Sequence, residues 1–269
     1  MAIKLIALDL DDTLLDKSKT ISARNRRAIE RAIEAGVTVT VSTGRMYQSA
    51  LPYVLELGLD VPIITYNGAL IKWGKSGETL FDLPVDRATT REMLALFKEH
   101  DWYLQAYIDD QLYVAQANEY SDYYKRMTGI AAIALGDAFY TLEGTPSKMM
   151  AIADSVLLTR IREKVNEVFG PRVNLAVSGP RYLEIVNPMV SKGRALALLA
   201  KHLGITREQV MAVGDSQNDL PMLQYAGWGV AMANAMPEVQ AAADAVTSAN
   251  DVDGVAEAIE KYVLGNISK

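Results

Sequence analysis

The stretch IKLIALDLDDTLL, residues 3–15, decides the fold, because a short apolar run in it ends abruptly in acids. The run Ile3–Leu8, apolar except for Lys4, has the length and character of a buried parallel strand. Asp9, Asp11 and Asp12 follow it within four residues. Ligands of an open parallel sheet bind at the edge where the carboxyl ends of its strands meet. The sequence therefore predicts a ligand site beside these acids.

Helical and strand patterns alternate on both sides of a long middle segment. Ser22 is a good N-cap for the first helical pattern, which ends at Gly36, and the β-branched run Val37–Ser42 follows. Alternation of this kind predicts a parallel sheet. The predicted helices and strands outside the middle segment cover residues 22–36, 37–42, 47–57, 61–65, 191–203, 210–213, 228–232, 245–247 and 254–263.

The middle segment has a different pattern of predicted elements, with two long helices and alternating strands such as Tyr103–Ile108 and Lys148–Ala153. A chain of 269 residues also exceeds the ~100–200 residues typical of one domain. The predicted fold class is therefore α/β, a Rossmann-like parallel-sheet core with an inserted α+β cap domain. We expect the core to comprise residues 1–83 and 188–269, and the cap residues 84–187.

Composition excludes several classes of protein. The chain has no cysteine and two histidines, which excludes disulfides and thiolate metal sites and disfavours zinc chemistry. The net charge is -6 and the sequence has no basic run, so it has no positively charged segment of the kind that binds nucleic acid or an anionic membrane. No signal peptide or apolar run long enough to span a bilayer is apparent. We expect a cytoplasmic protein whose partner is a small molecule.

Polar residues at three predicted strand ends point to one crevice. Asp9, Thr43 and Asp215 each follow an apolar, strand-like run. Carboxylates that share a crevice repel one another unless a cation neutralises them, and a set of oxygen ligands suits Mg²⁺. A phosphate bound beside them also needs positive partners. The metal, Lys192 at a helix N-terminus and the backbone amides around Thr43 and Gly44 could provide them.

Four short motifs appear in a fixed order along the chain, and three further segments accompany them. The motifs are DLDDT (9–13), STGR (42–45), SKG (191–193) and GDSQND (214–219). The accompanying segments are TYNGA (65–69), YLEI (182–185) and GVAMANA (229–235). Together they resemble the haloacid dehalogenase superfamily and, within it, the Cof-type sugar phosphatases. The resemblance covers nearly the whole chain, and a large cap between the second and third motifs fits it.

This resemblance implies a magnesium-dependent phosphatase for a small phosphate ester such as a sugar phosphate. Asp9 would attack phosphorus to form an aspartyl phosphate, which water then hydrolyses, and Asp11 would act first as acid and then as base. Magnesium would be held by Asp9, the backbone carbonyl of Asp11 and Asp215, with Asp219 acting directly or through water. The phosphate-binding positions would be Leu10, Thr43, Gly44, Lys192 and Asn218.

Several positions need separate interpretation. Asp12 stands where most Cof-type members carry glycine, and we expect the loop to form because aspartate tolerates positive φ better than most residues. Arg45 is equally a structural ion pair or a substrate contact, and Asn67 is interpreted as an Asn-Gly turn residue. Tyr182 and Glu184, in the last predicted strand of the cap, are candidate specificity residues, provided that their face of the strand looks into the cleft.

Two other functions could use the same aspartyl phosphate. A phosphomutase or other phosphotransferase returns the phosphoryl group to a sugar, but mutases of this superfamily usually carry a small helical cap near the first motif. A phosphoaspartate receiver is not an enzyme, places its acceptor after a middle strand and has no inserted cap. Stoichiometric release of phosphate would separate a phosphatase from both.

Overall fold

A computed structural model describes residues 2–177 and 181–266, and the chain divides into two compact units. The core unit comprises Met1–Arg45, Ala50–Phe81 and Ser191–Lys269, and the cap unit comprises Met46–Ser49 and Asp82–Val190. Within the ranges described, no helix is both long and apolar enough to cross a membrane.

The strands and helices alternate in the core unit and are mixed in the cap unit. In chain order the strands are β1 (Leu5–Leu8), β2 (Thr38–Val41), β3 (Pro62–Thr65), β4 (Leu70–Trp73), β5 (Thr79–Asp82), β6 (Leu104–Ile108), β7 (Gln111–Val114), β8 (Ile133–Ala134), β9 (Lys148–Ile152), β10 (Asn174–Val177), β11 (Tyr182–Val186), β12 (Val210–Gly214), β13 (Trp228–Met232) and β14 (Ala245–Thr247). The α-helices are α1 (Ala23–Glu34), α2 (Tyr47–Glu56), α3 (Arg87–Glu99), α4 (Glu119–Thr128), α5 (Ser155–Phe169), α6 (Lys192–His202), α7 (Leu220–Tyr225), α8 (Pro237–Ala242) and α9 (Gly254–Tyr262).

The core unit is built on a parallel sheet with the strand order β14-β13-β12-β1-β2. Strand β1 pairs with β12 on one side and β2 on the other, and all four of its residues are buried. This explains its unbroken apolar sequence, because a central parallel strand is covered on both faces. Since all these strands run in one direction, their carboxyl ends lie along one edge. The predicted α/β class is confirmed.

Strand β3 joins the core sheet less fully than the sequence predicted. It pairs antiparallel with β4 in a separate sheet of order β3-β4-β5, and a single parallel bridge between Ser42 and Ile64 links it to the end of β2. The reason is the turn after β3, in which Tyr66 and Asn67 have φ of 51° and 59° and reverse the chain at once. The predicted Asn-Gly turn is thereby confirmed.

Serine side chains cap two helices of the core unit, and the cap at Ser22 was predicted. Ser22 caps α1 by accepting a hydrogen bond from the amide of Asn25, and Ser191 caps α6 in the same way. A capping box is also present at Thr206, but it closes only a three-residue 3₁₀ turn, because β12 begins directly afterwards. The cap at Ser191 matters for function because it fixes the helix on which Lys192 is the first residue.

The cap unit contains a mostly antiparallel sheet of order β10-β11-β9-β6-β7-β8. Helices α3 and α5 contribute to the buried apolar cluster on one face of it. Tyr182 and Glu184 of β11 lie on the opposite face, since Leu183 and Ile185 between them belong to that cluster.

Candidate active site

The carboxyl edge of the core sheet brings together residues that are far apart in sequence. Asp9 directly follows β1, Asp215 directly follows β12, and Thr43 lies two residues beyond β2. All three side chains are buried, which is unusual for aspartate. Buried carboxylates need compensating partners, and the contacts of these residues show what the partners are.

Lys192 is the positive centre of the site. Its Nζ lies 2.6 Å from Oδ1 of Asp9 and 2.5 Å from Oδ1 of Asp219, and its side chain is 1% exposed. Burial alone would lower the pKa of Lys192, but the charges of Asp219 and Asp9 outweigh it and raise the pKa. The pKa of Asp9 is raised well above its ordinary value by burial and by the charge of Asp219, although Lys192 offsets part of this. The ammonium therefore stays charged between two carboxyl groups.

Asp219 is held so that it supports this lysine. Its Oδ2 accepts hydrogen bonds from the backbone amides of Asp215 and Ser216, each at 3.0 Å, while Oδ1 faces Lys192. Both carboxylate oxygens thus have partners within the protein. The loop that carries Asp219 follows β12, so the Gly-Asp-Ser segment and Asp219 form one preorganised unit.

Asp215 is fixed by two hydroxyl groups. Thr13 donates to its Oδ1 and Ser216 donates to its Oδ2, both at 2.9 Å. Burial and the charge of Asp219 raise the pKa of Asp215 to about 6, and Asp12 adds to the increase. A carboxyl group whose ionised form is disfavoured in this way is ready to exchange its proton for a metal ion.

The acidic cluster fits a magnesium ion chemically. Asp9, Asp215 and Asp219 each offer a carboxylate oxygen, and these oxygens all lie within 4.8 Å of one another. All three side chains are buried, and Lys192 contributes one positive charge against three carboxyl groups. Such a set of hard oxygen donors with excess negative charge suits Mg²⁺ rather than a softer ion.

Asp11 has a different environment from the other acids. Arg45 binds both of its carboxylate oxygens and Lys19 binds one of them at 2.8 Å. Burial would raise the pKa of Asp11, but the hydrogen bonds and charges of Arg45 and Lys19 lower it to about 2. Asp11 is therefore a carboxylate at neutral pH in this structure. Arg45 acts here as its ion-pair partner.

The loop after β2 meets the Asn-Gly turn after β3. The Thr43 amide donates to the carbonyl of Ile64 at 2.9 Å, and its hydroxyl accepts from the amide of Arg45 at 3.2 Å. A Cβ on Gly44 would lie 2.9 Å from Oδ1 of Asn67, so a larger residue here would displace the Asn67 side chain. Oδ1 of Asn67 also accepts a hydrogen bond from Nδ2 of Asn218 at 2.9 Å. Thr43, Gly44 and Asn218 are thus brought to one place.

Two groups of candidates do not supply side chains to this cluster. The side chain of Leu10 is fully buried in the core, so only its backbone could contact a phosphate. Tyr182 and Glu184 belong to the cap unit, where Glu184 is buried and lies 3.1 Å from the ammonium of Lys148. Burial and a hydrogen bond with Tyr123 raise the pKa of Tyr182 to about 12.

The sequence interpretation missed three contributing residues in the core unit. Thr13 holds Asp215, Lys19 pairs with Asp11, and Asn67 contacts Asn218. Thr13 could have been found, because it lies within the DLDDT motif as a hydroxyl next to a predicted metal site. The other two contacts depend on how separate loops meet, and no spacing in the sequence indicates them.

Comparison with known proteins agrees with this fold. A sequence profile of the haloacid dehalogenase-like hydrolase family matches residues 6–259. The 5-amino-6-(5-phospho-D-ribitylamino)uracil phosphatase YwtE of Bacillus subtilis (strain 168) is 32% identical over 290 residues, covering 97% of this chain and 99% of that protein. A haloacid dehalogenase-like hydrolase from Bacteroides thetaiotaomicron superposes with a TM-score of 0.89 at 30% identity, covering 96% of this chain and 99% of that one. For TM0651 from Thermotoga maritima the TM-score is 0.88 at 32% identity, over 96% and 97% of the two chains.

The chain belongs to the haloacid dehalogenase-like hydrolase family. The resemblance to its Cof-type branch, based on the motifs, is confirmed. Several relatives are phosphatases by name, and this protein is a phosphatase.

Proposed function

We propose that the protein is a magnesium-dependent phosphatase that hydrolyses a small phosphate ester through an aspartyl phosphate on Asp9. One observation carries the proposal. Asp9 is buried at the carboxyl edge of the parallel sheet, 2.6 Å from the Lys192 ammonium and within an oxygen cluster with Asp215 and Asp219. A nucleophile, a positive charge and a hard-metal ligand set therefore meet at one point.

The proposed reaction has two steps. A carboxylate oxygen of Asp9 forms a bond to phosphorus as the bond from phosphorus to the leaving oxygen breaks, and water later attacks the same phosphorus to release inorganic phosphate and free Asp9. Bound Mg²⁺ would supply neutralisation of the phosphoryl charge, held by Asp9, the backbone carbonyl of Asp11, and Asp215. Asp219 would act mainly by holding Lys192, because its oxygens already bind that lysine and two amides.

The phosphoryl group needs donors for its remaining oxygens. Lys192 is proposed as the charged donor because its ammonium lies directly beside the nucleophile. Thr43, Gly44 and Asn218, together with the backbone amide of Leu10, are proposed as the neutral donors. The Asn67 contact to Asn218 would keep that amide next to Gly44.

Asp11 is proposed as the general acid and base. Its ionised state suits the second step, in which it accepts a proton from the attacking water. The first step with a sugar alkoxide as leaving group requires Asp11 to carry a proton, which the Arg45 and Lys19 contacts oppose. We propose that substrate binding breaks these contacts so that Asp11 can become protonated.

The substrate class is proposed to be phosphorylated sugars or sugar alcohols. Relatives that are 30–32% identical are named for a phosphate ester on a ribityl chain, and their similarity extends over nearly the whole of this chain. The cytoplasmic location expected from the sequence remains a prediction.

Asp9→Asn tests the covalent step. The change is nearly isosteric, so we expect a folded protein with less than about 1% of wild-type phosphate release, since an amide is a poor nucleophile. Rapid acid quench with ³²P-labelled substrate should trap labelled wild-type protein and no labelled variant. Asp60→Asn, at an exposed acid outside the site, is the matched control and should retain both signals.

Three results would count against the proposal. One is phosphate release by Asp9→Asn with deamidation excluded by mass spectrometry, and another is wild-type activity that does not respond to removal of Mg²⁺. The third is transfer of the phosphoryl group to a second sugar without stoichiometric phosphate release, which would show a phosphotransferase instead. The substrate panel should include sugar phosphates, nucleotides, pyridoxal phosphate and 5-amino-6-(5-phospho-D-ribitylamino)uracil.

A further inference from the structure

We infer that Asn234 and Asn250 are positioning residues for the catalytic loop, residues 9–15, which they hold at two backbone carbonyls. This inference rests on the proposed role of Asp9 and Asp11 in that loop. Asn234 lies in the GVAMANA segment, to which neither the metal cluster nor the phosphate-binding positions assign a task. We call the two side chains together the asparagine bridge.

The first half of the asparagine bridge acts on Asp12. Nδ2 of Asn234 donates to the backbone carbonyl of Asp12 at 2.7 Å, and Oδ1 of Asn234 accepts from the backbone amide of Asn250 at 3.0 Å. The two contacts need a donor on one side of the amide group and an acceptor on the other. They therefore define the orientation of the Asn234 side chain, which a single contact would not.

The second half acts on Leu15. Nδ2 of Asn250 donates to the backbone carbonyl of Leu15 at 2.9 Å. Asn250 is 6% exposed, so this contact is shielded from water. Breaking this contact would leave a buried polar group without a partner, which opposes movement of the Leu15 carbonyl away from Asn250. The loop is thus held at two points, the carbonyls of Asp12 and Leu15.

The asparagine bridge is anchored by two strands of the core sheet and by Gln240. Asn234 follows β13 and Asn250 follows β14, so the two outermost strands on that side of the core sheet reach past β12 to the loop after β1. Gln240 further fixes the Asn234 segment, because its Nε2 donates to the carbonyls of Ala233 at 2.8 Å and Ala235 at 3.1 Å. A side chain anchored in this way can restrain a neighbouring loop.

The loop needs such a restraint because its backbone is strained at one point. Asp12 has a φ of 57°, in the left-handed region that L-residues other than glycine rarely adopt. The peptide that follows leads to Thr13, whose hydroxyl binds Asp215. If the Asp12 carbonyl were released, the peptide between Asp12 and Thr13 could rotate, and Thr13 after it and Asp11 before Asp12 would shift. Both the predicted metal site and the acid/base residue would lose their alignment.

Neither asparagine has a role in binding the substrate in the proposed mechanism. A positioning role therefore predicts a loss in kcat with little change in KM. Misplacement of reacting groups by about 1 Å can cost on the order of 100-fold in rate. We expect about a tenfold decrease in kcat for Asn234→Ala, because the Leu15 contact remains to hold the other end of the loop.

The test compares three variants of the full chain. Asn234→Ala removes the whole amide, whereas Asn234→Asp keeps the shape and the acceptor for Asn250 but places an oxygen against the Asp12 carbonyl. Gln209→Ala is the control. It removes an amide side chain that binds backbone at the opposite end of β12, in the capping box with Thr206. Steady-state kinetics with nitrophenyl phosphate, the magnesium-induced change in Tm, and the rate of phosphoenzyme formation are measured for each.

The expected result is a lower kcat and slower phosphoenzyme formation for both Asn234 variants, with KM within about twofold of wild type. Gln209→Ala should lower Tm to a similar extent without lowering kcat. The inference is overturned if Asn234→Asp keeps wild-type kcat, because a role limited to filling space would tolerate that change. It is also overturned if kcat falls equally in Gln209→Ala.

A variant at Asn250 provides a second test in case the Asn234 variants do not fold. Asn250→Asp removes the donor to Leu15 and nearly preserves the shape, and it should also lower kcat without raising KM; unchanged kcat would overturn the inference. Failure of the proposed covalent mechanism is seen separately, as absence of phosphoenzyme in the wild type. In that case the phosphate-release kinetics still decide whether the asparagine bridge positions the loop.

Discussion

Arg45 binds Asp11 through two parallel hydrogen bonds, Nε to Oδ2 and Nη2 to Oδ1, each 2.7 Å long. This two-point contact matches the planar guanidinium to the carboxylate, which lysine could not do. The guanidinium also lies over the ring of Tyr53, 4.9 Å from its centroid. The side chain to which the proposed mechanism assigns proton transfer is therefore held ionised by a well-fixed partner.

Arg45→Gln should raise the pKa of Asp11 from about 2 toward its ordinary value of 3.8. The reason is that the variant loses the hydrogen bonds and the charge that favour the carboxylate over the acid. The pKa can be measured from the carboxyl ¹³C shift of labelled aspartate, assigned by comparison with Asp11→Asn.

Lys19→Gln is the matched control for that measurement. Lys19 binds one oxygen of Asp11 through a single contact and is more exposed, with 43% of its side chain accessible against 21% for Arg45. We expect a smaller rise in the pKa of Asp11 in this variant. An equal or larger rise would mean that the paired geometry of Arg45 is not what lowers the pKa.

Magnesium binding should strengthen as the pH rises through about 6, the pKa of Asp215. This pKa lies above the ordinary 3.8, so the metal-free folded protein keeps a proton that the unfolded chain has lost. The contribution of Asp215 to stability is therefore greatest below pH 3.8 and is lost as the pH rises through 6. The raised pKa of Asp9 acts in the same direction.

The measurement is the increase in Tm caused by Mg²⁺, at pH 5 and at pH 7.5, with ionic strength held constant. At pH 5 the metal must displace a proton from Asp215, so we expect a small increase, and at pH 7.5 a larger one. The same increase at both values would contradict the idea that proton and metal compete for this carboxyl group.

Lys192→Met should destabilise the core unit strongly. Removing one partner of a buried ion pair costs about 3–5 kcal/mol, because the remaining charge is left without compensation. Here Asp9 and Asp219 would both lose their counterion. The pKa of Asp9 is raised by burial, so its protonation at lower pH relieves the repulsion, and the loss of Tm relative to wild type should be smaller at pH 5 than at pH 8.

Lys148→Met provides the comparison, since Lys148 is also buried and lies 3.1 Å from a carboxylate oxygen, that of Glu184. It should reduce stability as well, but leave the magnesium-induced increase in Tm unchanged. If Lys192→Met also left that increase unchanged, Lys192 would have no part in the proposed metal site of Asp9, Asp215 and Asp219.

The sequence predicted the backbone framework well because one simple rule governs it. Parallel strands present their carboxyl ends at one edge, so residues that follow apolar runs, such as Asp9 and Asp215, must meet there. The capping residue Ser22 was predicted for a similar reason, since a helix start is decided by local hydrogen bonds. These features depend on neighbours in sequence or on topology alone.

The pairing of side chains could not be predicted in the same way. Whether Arg45 binds Asp11 or a substrate depends on the direction in which two loops project, and the spacing of 34 residues does not define it. The same holds for the contact between Asn67 and Asn218. Strand β3 also departed from prediction, because the turn at Asn67 was correctly expected while its effect on sheet membership was not.

Asp12 offers a test of how backbone strain and charge contribute separately at the catalytic loop. Its φ of 57° is tolerated by aspartate and asparagine and is free of cost for glycine, whereas alanine at such a position is strained by about 1 kcal/mol. Asp12→Ala should therefore lower Tm, while Asp12→Asn and Asp12→Gly should leave it near the wild-type value. The series keeps the backbone requirement constant and changes the side chain.

The charge of Asp12 has an independent effect, because it helps to raise the pKa of Asp215. Asp12→Asn and Asp12→Gly should both lower that pKa, so the pH at which Mg²⁺ begins to stabilise the protein should move down in both. Because the carboxylate of Asp12 has no role in the proposed chemistry, kcat at pH 7.5 should be equal to or higher than that of the wild type.

A decrease of about tenfold in both variants, equivalent to roughly 1.4 kcal/mol in the barrier, would show that the Asp12 carboxylate itself takes part in the reaction. A decrease in Asp12→Gly alone would instead show that the loop needs a side chain there to limit its backbone freedom, since asparagine keeps the shape and glycine does not.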